Sequence, residues 1–350
     1  MSEPASARER GLAFGEAWRD EIHDTVAGYA ELFAMAAGAP FSLARAGLAA
    51  HDAISRWAPK IADEINGMAE GAGLPSTHVA AINARTEILA GLRIPHRGEC
   101  STAVFLGGAK PLAAQTWDWY LRFAENWLLW TIQLPDGREL QTVSEFGIVG
   151  KIAVNSSGIG VHFNLLRHRL DRPRIGVPVH VIARRVIEES QDLETALRLV
   201  GTAAVSASTA LTFVATNGHD ATALTVELHR GGPAYVLPDP DGLLVHTNHF
   251  LHPNAVADDR EPSLAGDSYL RYEMLRRRLH TKPPATAEDI VGAMASHLGG
   301  AGALCLHPQP DAPLDECYAT LATVVLDVEA GTVQARAGGP CHGPVSNGSI

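Results

Sequence analysis

The stretch GECSTAVF, residues 98–105, places a single cysteine between a polar, glycine-containing turn and an apolar run. Residues 95–99 break the helical pattern that precedes them, so we predict a loop there, and the apolar residues after Cys100 predict a strand. If the Glu99-Cys100 peptide bond is cut, Cys100 gains an α-amine that can act as the base for its own sulfur. Without such a cut, the same residue is typical of a buried core cysteine.

An acidic residue lies between two indoles in the next informative motif, Trp117-Asp118-Trp119. A carboxylate in aromatic surroundings needs a partner, because an unpaired buried charge is unfavourable. Asp118 is therefore a candidate for a role near the cysteine. The alternative is that it anchors strands by accepting backbone N–H bonds.

Two segments that contain asparagine complete the pattern. Residues 144–164 predict two strands joined by an Asn-Ser-Ser-Gly turn that begins at Asn155, and residues 245–250, VHTNHF, contain Asn248. Taken alone, Asn155 is expected to support its turn together with Ser156. Asn248 taken alone is typical of a turn residue at the end of a strand.

In this order, the motifs resemble those of the acyl-coenzyme A:isopenicillin N acyltransferases: Cys100, Trp117-Asp118-Trp119, Gly150-Lys151-Ile152 with Asn155, and Thr247-Asn248-His249. These enzymes are the autoproteolytic cysteine members of the N-terminal nucleophile (Ntn) hydrolases, and the likeness covers residues 61–343. The resemblance implies an α+β fold, a four-layer αββα sandwich with a helical N-terminal segment. It also implies self-cleavage at Glu99-Cys100 into segments 1–99 and 100–350, which remain together as a non-covalent heterodimer.

The resemblance also implies a role for each site residue. Cys100 is the nucleophile that self-cleavage exposes, Asp118 matches the family's buried acid, and Asn248 matches an asparagine of the oxyanion hole. Asn164 lies where related folds hold a second amide near the nucleophile, and Asn155 is a further candidate for oxyanion binding or support. The implied reaction forms an acyl-enzyme on Cys100 from an amide or thioester, with a coenzyme A thioester as one candidate acyl donor.

The sequence departs from close members of that family at two places. Those members carry a Ser-Arg step before the last strand pair, associated with binding the penicillin nucleus, where this chain has Glu316 and Cys317. This difference argues against penicillin biosynthesis. In addition, Glu99 precedes the nucleophile where a glycine is expected, which concerns the efficiency of cleavage and leaves the nucleophile itself intact.

The hydrophobic pattern predicts helices in the first hundred residues and mostly strands after them. Helices are expected over 7–37, 61–73, 76–92, 178–189, 192–200, 268–279 and 287–297, and strands over 103–106, 111–116, 129–133, 140–143, 210–216, 222–228, 320–327 and 331–336. The Asn217-Gly218 pair predicts a hairpin turn. Blocks of strands alternating with blocks of helices suit two stacked antiparallel sheets with helical layers outside.

Composition argues against two classes of partner. The 350 residues include 28 Lys and Arg against 39 Asp and Glu, a net charge of −11 that argues against nucleic acid. There is no run of eighteen apolar residues and no basic stretch leading into an apolar run, so we expect neither a membrane partner nor a secretory signal. The expected location is therefore cytoplasmic, where a thiol nucleophile stays reduced.

Neither a metal nor a bound cofactor is expected from the sequence. The four cysteines lack C-x-x-C spacing. His246, His249 and His252 lie on a strand-like segment that would not direct all three side chains to one side. The Gly158-Ile159-Gly160 segment lacks the third glycine and the following helix of a dinucleotide site.

We therefore predict a self-cleaving cysteine acyltransferase or amidase that acts on a small-molecule amide or thioester. Two other classes remain open. One is an uncleaved cysteine hydrolase in which His162 or His249 is the base for Cys100. The other is a non-catalytic protein on the same fold that binds a small molecule.

Overall fold

The computed structural model describes residues 5–92, 100–264, 266–309, 312–313 and 317–343. Its N-terminal part is helical, as the sequence predicts. The helices are α1 (Ala7–Ala17), α2 (Arg19–Ala37), α3 (Leu43–Trp57), α4 (Pro59–Ala72), α5 (Ser76–Asn83) and α6 (Arg85–Leu92). The predicted helix over 7–37 is interrupted at Trp18 and that over 76–92 at Ala84, because both residues leave the helical region of backbone space.

Two antiparallel sheets follow the helices. Their strands are β1 (Ser101–Phe105), β2 (Leu112–Tyr120), β3 (Trp127–Gln133), β4 (Glu139–Glu145), β5 (Ile152–Asn155), β6 (Ile159–Leu165), β7 (Thr209–Thr216), β8 (Ala221–His229), β9 (Gly232–Val236), β10 (Leu243–His246), β11 (Tyr318–Asp327) and β12 (Thr332–Ala337). One sheet has the order β10-β1-β2-β11-β12, and the other runs β3 to β9 in chain order. The predicted hairpin turn at Asn217-Gly218 joins β7 to β8, and Gly218 has the positive φ of 85° that such turns require.

Helices cover the outer face of each sheet. These helices are α7 (Val179–Glu189), α8 (Leu193–Gly201), α9 (Pro253–Val256), α10 (Glu261–Leu264), α11 (Asp267–Thr281) and α12 (Ala287–Met294). Apolar residues of α7 and α8 pack on the seven-stranded sheet, and those of α11 and α12 pack on the five-stranded sheet. The predicted four-layer αββα sandwich is therefore confirmed.

The N-terminal helices share one hydrophobic core with the sandwich. Ile22 and Phe33 of α2 belong to the same buried cluster as Val104 of β1 and Val143 of β4. The predicted division into segments 1–99 and 100–350 stays a prediction, and the apolar faces of α1–α6 give a reason for the two segments to remain together after a cut. No helix within the described ranges is long and apolar enough to cross a membrane.

Candidate functional site

Cys100 is the first described residue of the sandwich and directly precedes β1. It is only 5% exposed. Its carbonyl oxygen accepts hydrogen bonds from Asn164 Nδ2 at 3.0 Å and from Arg271 Nη1 at 3.2 Å. Two side chains from different layers therefore fix the backbone of this residue, which holds its thiol in one place.

The Cys100 thiol lies in an environment that keeps it protonated. Burial and, to a smaller extent, the nearby Asp118 carboxylate together raise its pKa to about 11. A hydrogen bond from the backbone N–H of Asp118, together with the charges of Lys151 and Arg271, acts in the opposite direction without offsetting burial. The sulfur of the unprocessed chain is therefore a thiol at neutral pH, and an added positive charge beside it would favour the thiolate.

Asp118 lies within β2, which runs past the predicted strand end at residue 116 to Tyr120, and it is 1% exposed. No described residue donates a hydrogen bond of normal geometry to either carboxylate oxygen. Thr320 of the neighbouring strand β11 pairs with Asp118, next to an irregularity in the strand register, and its hydroxyl is close enough to lower the carboxyl pKa. Burial outweighs this effect and raises the pKa of Asp118 to about 7.

Asn248 follows β10, and both the nitrogen and the oxygen of its side-chain amide are hydrogen-bonded. Its Nδ2 donates to Leu165 O at 2.9 Å, and its Oδ1 accepts from Arg271 Nη2 at 3.1 Å. An amide nitrogen carries two hydrogens, and the second hydrogen of Asn248 Nδ2 has no acceptor among the described residues. Arg271, on α11, thus connects Asn248 with the Cys100 carbonyl and with Ser101 Oγ at 2.9 Å.

The structure brings Asn164 to this site and places Asn155 elsewhere. Asn164 Oδ1 accepts a bond from Thr102 Oγ1 at 2.7 Å while its Nδ2 holds the Cys100 carbonyl. Asn155 Nδ2 donates to the carbonyls of Ile187 and Ser190 at the end of α7. Its Oδ1 accepts backbone N–H bonds within its own turn. These contacts agree with a role in supporting the turn and not with oxyanion binding.

The two histidines considered as bases make their contacts elsewhere. His162 Nδ1 lies 3.1 Å from Gln115 Oε1, and its buried Nε2 has no partner among the described residues. His249 Nδ1 lies 2.9 Å from Ser268 Oγ. Burial lowers the pKa of each ring to about 3, which makes both poor proton acceptors from a thiol.

A buried charge cluster beside the site was not predicted from the sequence as a functional group. Glu145 Oε2 accepts from Arg85 Nη2 at 2.9 Å and from Lys151 Nζ at 2.7 Å, and Tyr29 donates its hydroxyl to Glu145 Oε1. The two cations also lie over the indoles that flank Asp118. Lys151 Nζ is 3.3 Å from the Trp117 ring centre, and the Arg85 guanidinium is 4.1 Å from that of Trp119. In the sequence, Lys151 is part of the Gly150-Lys151-Ile152 motif. No sequence pattern marked Arg85, Glu145 or Arg271 as a functional residue.

A narrow cleft of about 20 Å³ lies next to these residues, between α6 and the end of β6. Trp119, Leu165 and Arg167 are among its lining residues, and Thr86 and Leu89 contribute from α6. Leu165 also accepts the hydrogen bond from Asn248. The predicted cleavage residue Glu99 and the substituted position Glu316 lie outside the described residues.

The geometry brings together a buried thiol, a buried acid and fixed amide and guanidinium donors, a set of groups that suits acyl chemistry. Residues 106–341 match the family described as Acyl-coenzyme A:6-aminopenicillanic acid acyl-transferase. This span covers about two thirds of the chain, contains Asp118, Asn164, Asn248 and Arg271, and begins just after β1.

A curated relative is similar over part of its length. The acyl-coenzyme A:6-aminopenicillanic-acid-acyltransferase 40 kDa form of Emericella nidulans is 32% identical over 196 residues, which cover 56% of this chain and 53% of that protein. The match therefore spans about half of the curated relative.

Two solved structures share a weaker overall likeness. Penicillin V acylase from Agrobacterium tumefaciens superposes with a TM-score of 0.43 and 12% identity, over 68% of this chain and 83% of that one. A mutant conjugated bile acid hydrolase from Clostridium perfringens superposes with a TM-score of 0.46 and 10% identity, over 68% and 89%.

Proposed function

The chain belongs to the acyl-coenzyme A:6-aminopenicillanic acid acyl-transferase family, and from that premise we propose that it cleaves itself before Cys100 and then works as a cysteine acyltransferase or amidase. Cys100 is the nucleophile of both reactions. Asn248 is an oxyanion donor, while Asn164 and Arg271 position the Cys100 backbone. The substrate is a small amide or thioester, and a coenzyme A thioester is one donor of that class.

The observation that carries this proposal is the pairing of a buried thiol with a buried carboxylate that lacks a strong partner. The backbone N–H of Asp118 lies near enough to the Cys100 sulfur to lower its pKa, yet the Asp118 carboxylate oxygens have no hydrogen bond of normal geometry from a described residue. Such a carboxylate is unfavourable unless a positive group arrives. The α-amine of a processed Cys100 is that group, because it is protonated below about pH 8.

Self-cleavage needs no cofactor, because every bond and proton in the reaction is accounted for by the chain and one water. The Cys100 sulfur attacks the Glu99 carbonyl carbon, the C–N bond of the peptide breaks, and the α-amine of Cys100 takes up the thiol proton. Water then hydrolyses the thioester, which leaves Glu99 with a carboxylate and Cys100 with a free thiol and amine. Asp118 accepts or returns a proton during these steps, since a carboxyl pKa of about 7 suits transfer at neutral pH.

Turnover repeats the same chemistry on a substrate. The α-amine removes the thiol proton, the sulfur attacks the acyl carbon, and the leaving amine or thiol takes the proton. The oxyanion of the tetrahedral intermediate needs donors that are already in place, and losing one such donor costs about 3 kcal/mol of barrier. The free N–H of Asn248 is our candidate donor. Water or an acceptor amine finally releases the acyl group.

Helix α6 contributes Arg85 to the buried charge cluster and Thr86 to the narrow cleft beside Trp119. Because α6 belongs to segment 1–99, this segment remains part of the enzyme as a non-covalent subunit. A reducing cytoplasm is the proposed location, because it preserves the thiol.

The decisive experiment compares the purified protein with a Cys100→Ala variant by intact mass and N-terminal sequencing. We expect two chains from the parent protein, whose masses sum to 37.2 kDa plus one water, with a new N-terminus at Cys100. The variant should remain one chain. A single uncut chain in both samples would contradict self-cleavage.

A second arm separates cleavage from catalysis. The processed protein is mixed with a panel of acyl thioesters and amides, with and without an acceptor amine, and acyl-enzyme is sought by mass on the Cys100 chain. An acyl adduct on that chain supports the enzyme. Ligand binding that is equal in the parent and Cys100→Ala proteins, with no adduct on any substrate, would favour the binding-protein alternative.

A further inference from the structure

Four side chains that can bind a metal converge at one end of the five-stranded sheet. His297 follows α12, Cys305 and His307 lie in the segment that leads to β11, and Cys341 lies in the turn after β12. One ligand atom from each residue lies within 4.8 Å of all the others. The cluster therefore joins three chain segments that are distant in the sequence.

The distances fit tetrahedral coordination. His307 Nε2 lies 3.3 Å from Cys341 Sγ, 3.6 Å from Cys305 Sγ and 3.1 Å from His297 Nε2. Around Zn²⁺ with Zn–S near 2.3 Å and Zn–N near 2.05 Å, tetrahedral angles place neighbouring ligand atoms about 3.3 to 3.8 Å apart. The observed contacts lie in or close to that range.

Hydrogen bonding alone does not account for this convergence. One imidazole nitrogen carries either one hydrogen or one lone pair, whereas three donor or acceptor atoms surround His307 Nε2. A cation at the centre of the four atoms gives each of them a partner. Gly339 makes room for the sulfur, since a Cβ at that position would lie 2.6 Å from Cys305 Sγ.

We propose that His297, Cys305, His307 and Cys341 form a structural Cys₂His₂ zinc site. Two thiolates and two imidazoles suit zinc, and four protein ligands close the coordination sphere, as in structural sites. The proposal departs from the sequence-based expectation of no metal, which rested on the absence of C-x-x-C spacing and on the strand-like placement of His246, His249 and His252. Here the ligands come from separate segments, with only Cys305-x-His307 close in sequence.

The proposed ion would stabilise the segment next to Asp118. Leu306, between two of the ligands, donates its N–H to Thr320 Oγ1 at 3.0 Å and accepts from Thr320 N–H at 3.0 Å. Thr320 is the residue that faces Asp118. Cys305 is buried, while the other three ligands are exposed, so an ion can enter from solvent.

The test measures bound metal on the full chain without a histidine tag. We expect about one zinc per chain by mass spectrometry after extensive dialysis, and loss of that zinc in Cys341→Ser. Cys341 is exposed, so this variant should fold, which circular dichroism would check. Cys317→Ser is the matched control, because Cys317 lies outside the cluster, and it should keep the metal.

Cobalt titration of the metal-free parent protein adds a readout that needs no variant. Thiolate-to-cobalt charge-transfer absorption should appear with saturation at one equivalent, and it should weaken in Cys341→Ser. Background metal content together with no such absorption would overturn the proposal. So would a Cys305–Cys341 disulfide in protein prepared without reductant and unaffected by added zinc. Neither result depends on whether Cys100 is cleaved.

Discussion

Two carboxylates are buried close in space to the tryptophans of β2, and their surroundings shift their pKa values in opposite directions. Glu145 is surrounded by Arg85, Lys151 and Tyr29, and their charges and hydrogen bonds lower its pKa despite burial. Among the described residues, the Thr320 hydroxyl and the charge of Arg271 favour the ionised form of Asp118, but burial outweighs both and raises its pKa to about 7.

The difference separates a structural charge from a chemical one. A fully paired buried ion holds its neighbours in one arrangement, and here it joins α2, α6 and β4. A buried acid without such partners can gain or lose a proton near neutral pH, which is the property that acid and base catalysis requires. We therefore expect Glu145 to control stability and Asp118 to control activity, and each prediction below tests that division.

The largest effect should follow from Glu145→Gln. The substitution keeps the shape of the side chain but leaves the Arg85 guanidinium buried without a counter-charge, which should reduce the free energy of unfolding by about 3 to 5 kcal/mol. Burial already lowers the pKa of Lys151 to about 7, so Lys151 can lose its proton when Glu145 is absent. Denaturant unfolding in a Cys100→Ala background, which keeps the protein as one chain, measures this. Glu139→Gln on the same strand is the control and should change stability by less than about 1 kcal/mol. Equal effects of the two variants would show that the cluster is not structural.

The roles of Glu145 and Asp118 also differ in how far the sequence predicts them. Sequence motifs point to Asp118, whereas the partners of Glu145 come together only after folding. Local patterns delimited most helices and strands, such as the β7–β8 hairpin at Asn217-Gly218 and the end of α4 before Gly73, whose φ is 70°. The ordered motifs located Cys100 and Asp118. Charges that approach one another only after folding carry no local pattern.

The partners of these residues show why the rest was not predictable. Arg85 comes from α6 and Glu145 from β4, 60 residues apart in the chain. Arg271 reaches the Cys100 carbonyl across 171 positions. Helix α3 was not delimited because its buried face consists mainly of Ala and Gly, a weak hydrophobic signal.

The second prediction concerns the pH dependence of stability. The folded pKa of Asp118, about 7, exceeds its ordinary value of 3.8, so between these values the folded chain holds a proton that the unfolded chain releases. The contribution of Asp118 is therefore full at low pH and falls as pH rises to about 7. Glu145, with a lowered pKa, contributes above its ordinary value of 4.5 and loses that contribution on acidification.

The contribution of Asp118 to stability is measured by unfolding two proteins at pH 4 to 8. One is the Cys100→Ala variant, and the other carries Asp118→Asn in addition. The stability of the Asn variant relative to its parent should increase with pH by up to about 4 kcal/mol and level off above pH 7. A relative stability that decreases with pH would mean that Asp118 is ionised and paired, as Glu145 is.

The third prediction moves from stability to activity. Asp118→Asn removes the titrating group while keeping the backbone N–H that lies near the Cys100 sulfur. We expect kcat/KM of the processed enzyme to fall about 100-fold or more, with slower self-cleavage seen by intact mass. Asp220→Asn in an exposed turn is the control and should leave both rates unchanged. Parent-like activity in Asp118→Asn would reduce Asp118 to a packing role.

The smallest effect should follow from Thr320→Val. The Thr320 hydroxyl lowers the pKa of Asp118 and accepts the Leu306 N–H, so its loss should cost about 1 kcal/mol of stability and shift the Asp118 transition to higher pH. Thr320→Ser keeps the hydroxyl and should restore the position of that transition. Both are read from pH-dependent unfolding in the Cys100→Ala background. If Thr320→Val lowers stability but leaves the transition at its original pH, Thr320 serves the Leu306 segment alone, and burial by itself sets the proton affinity of Asp118.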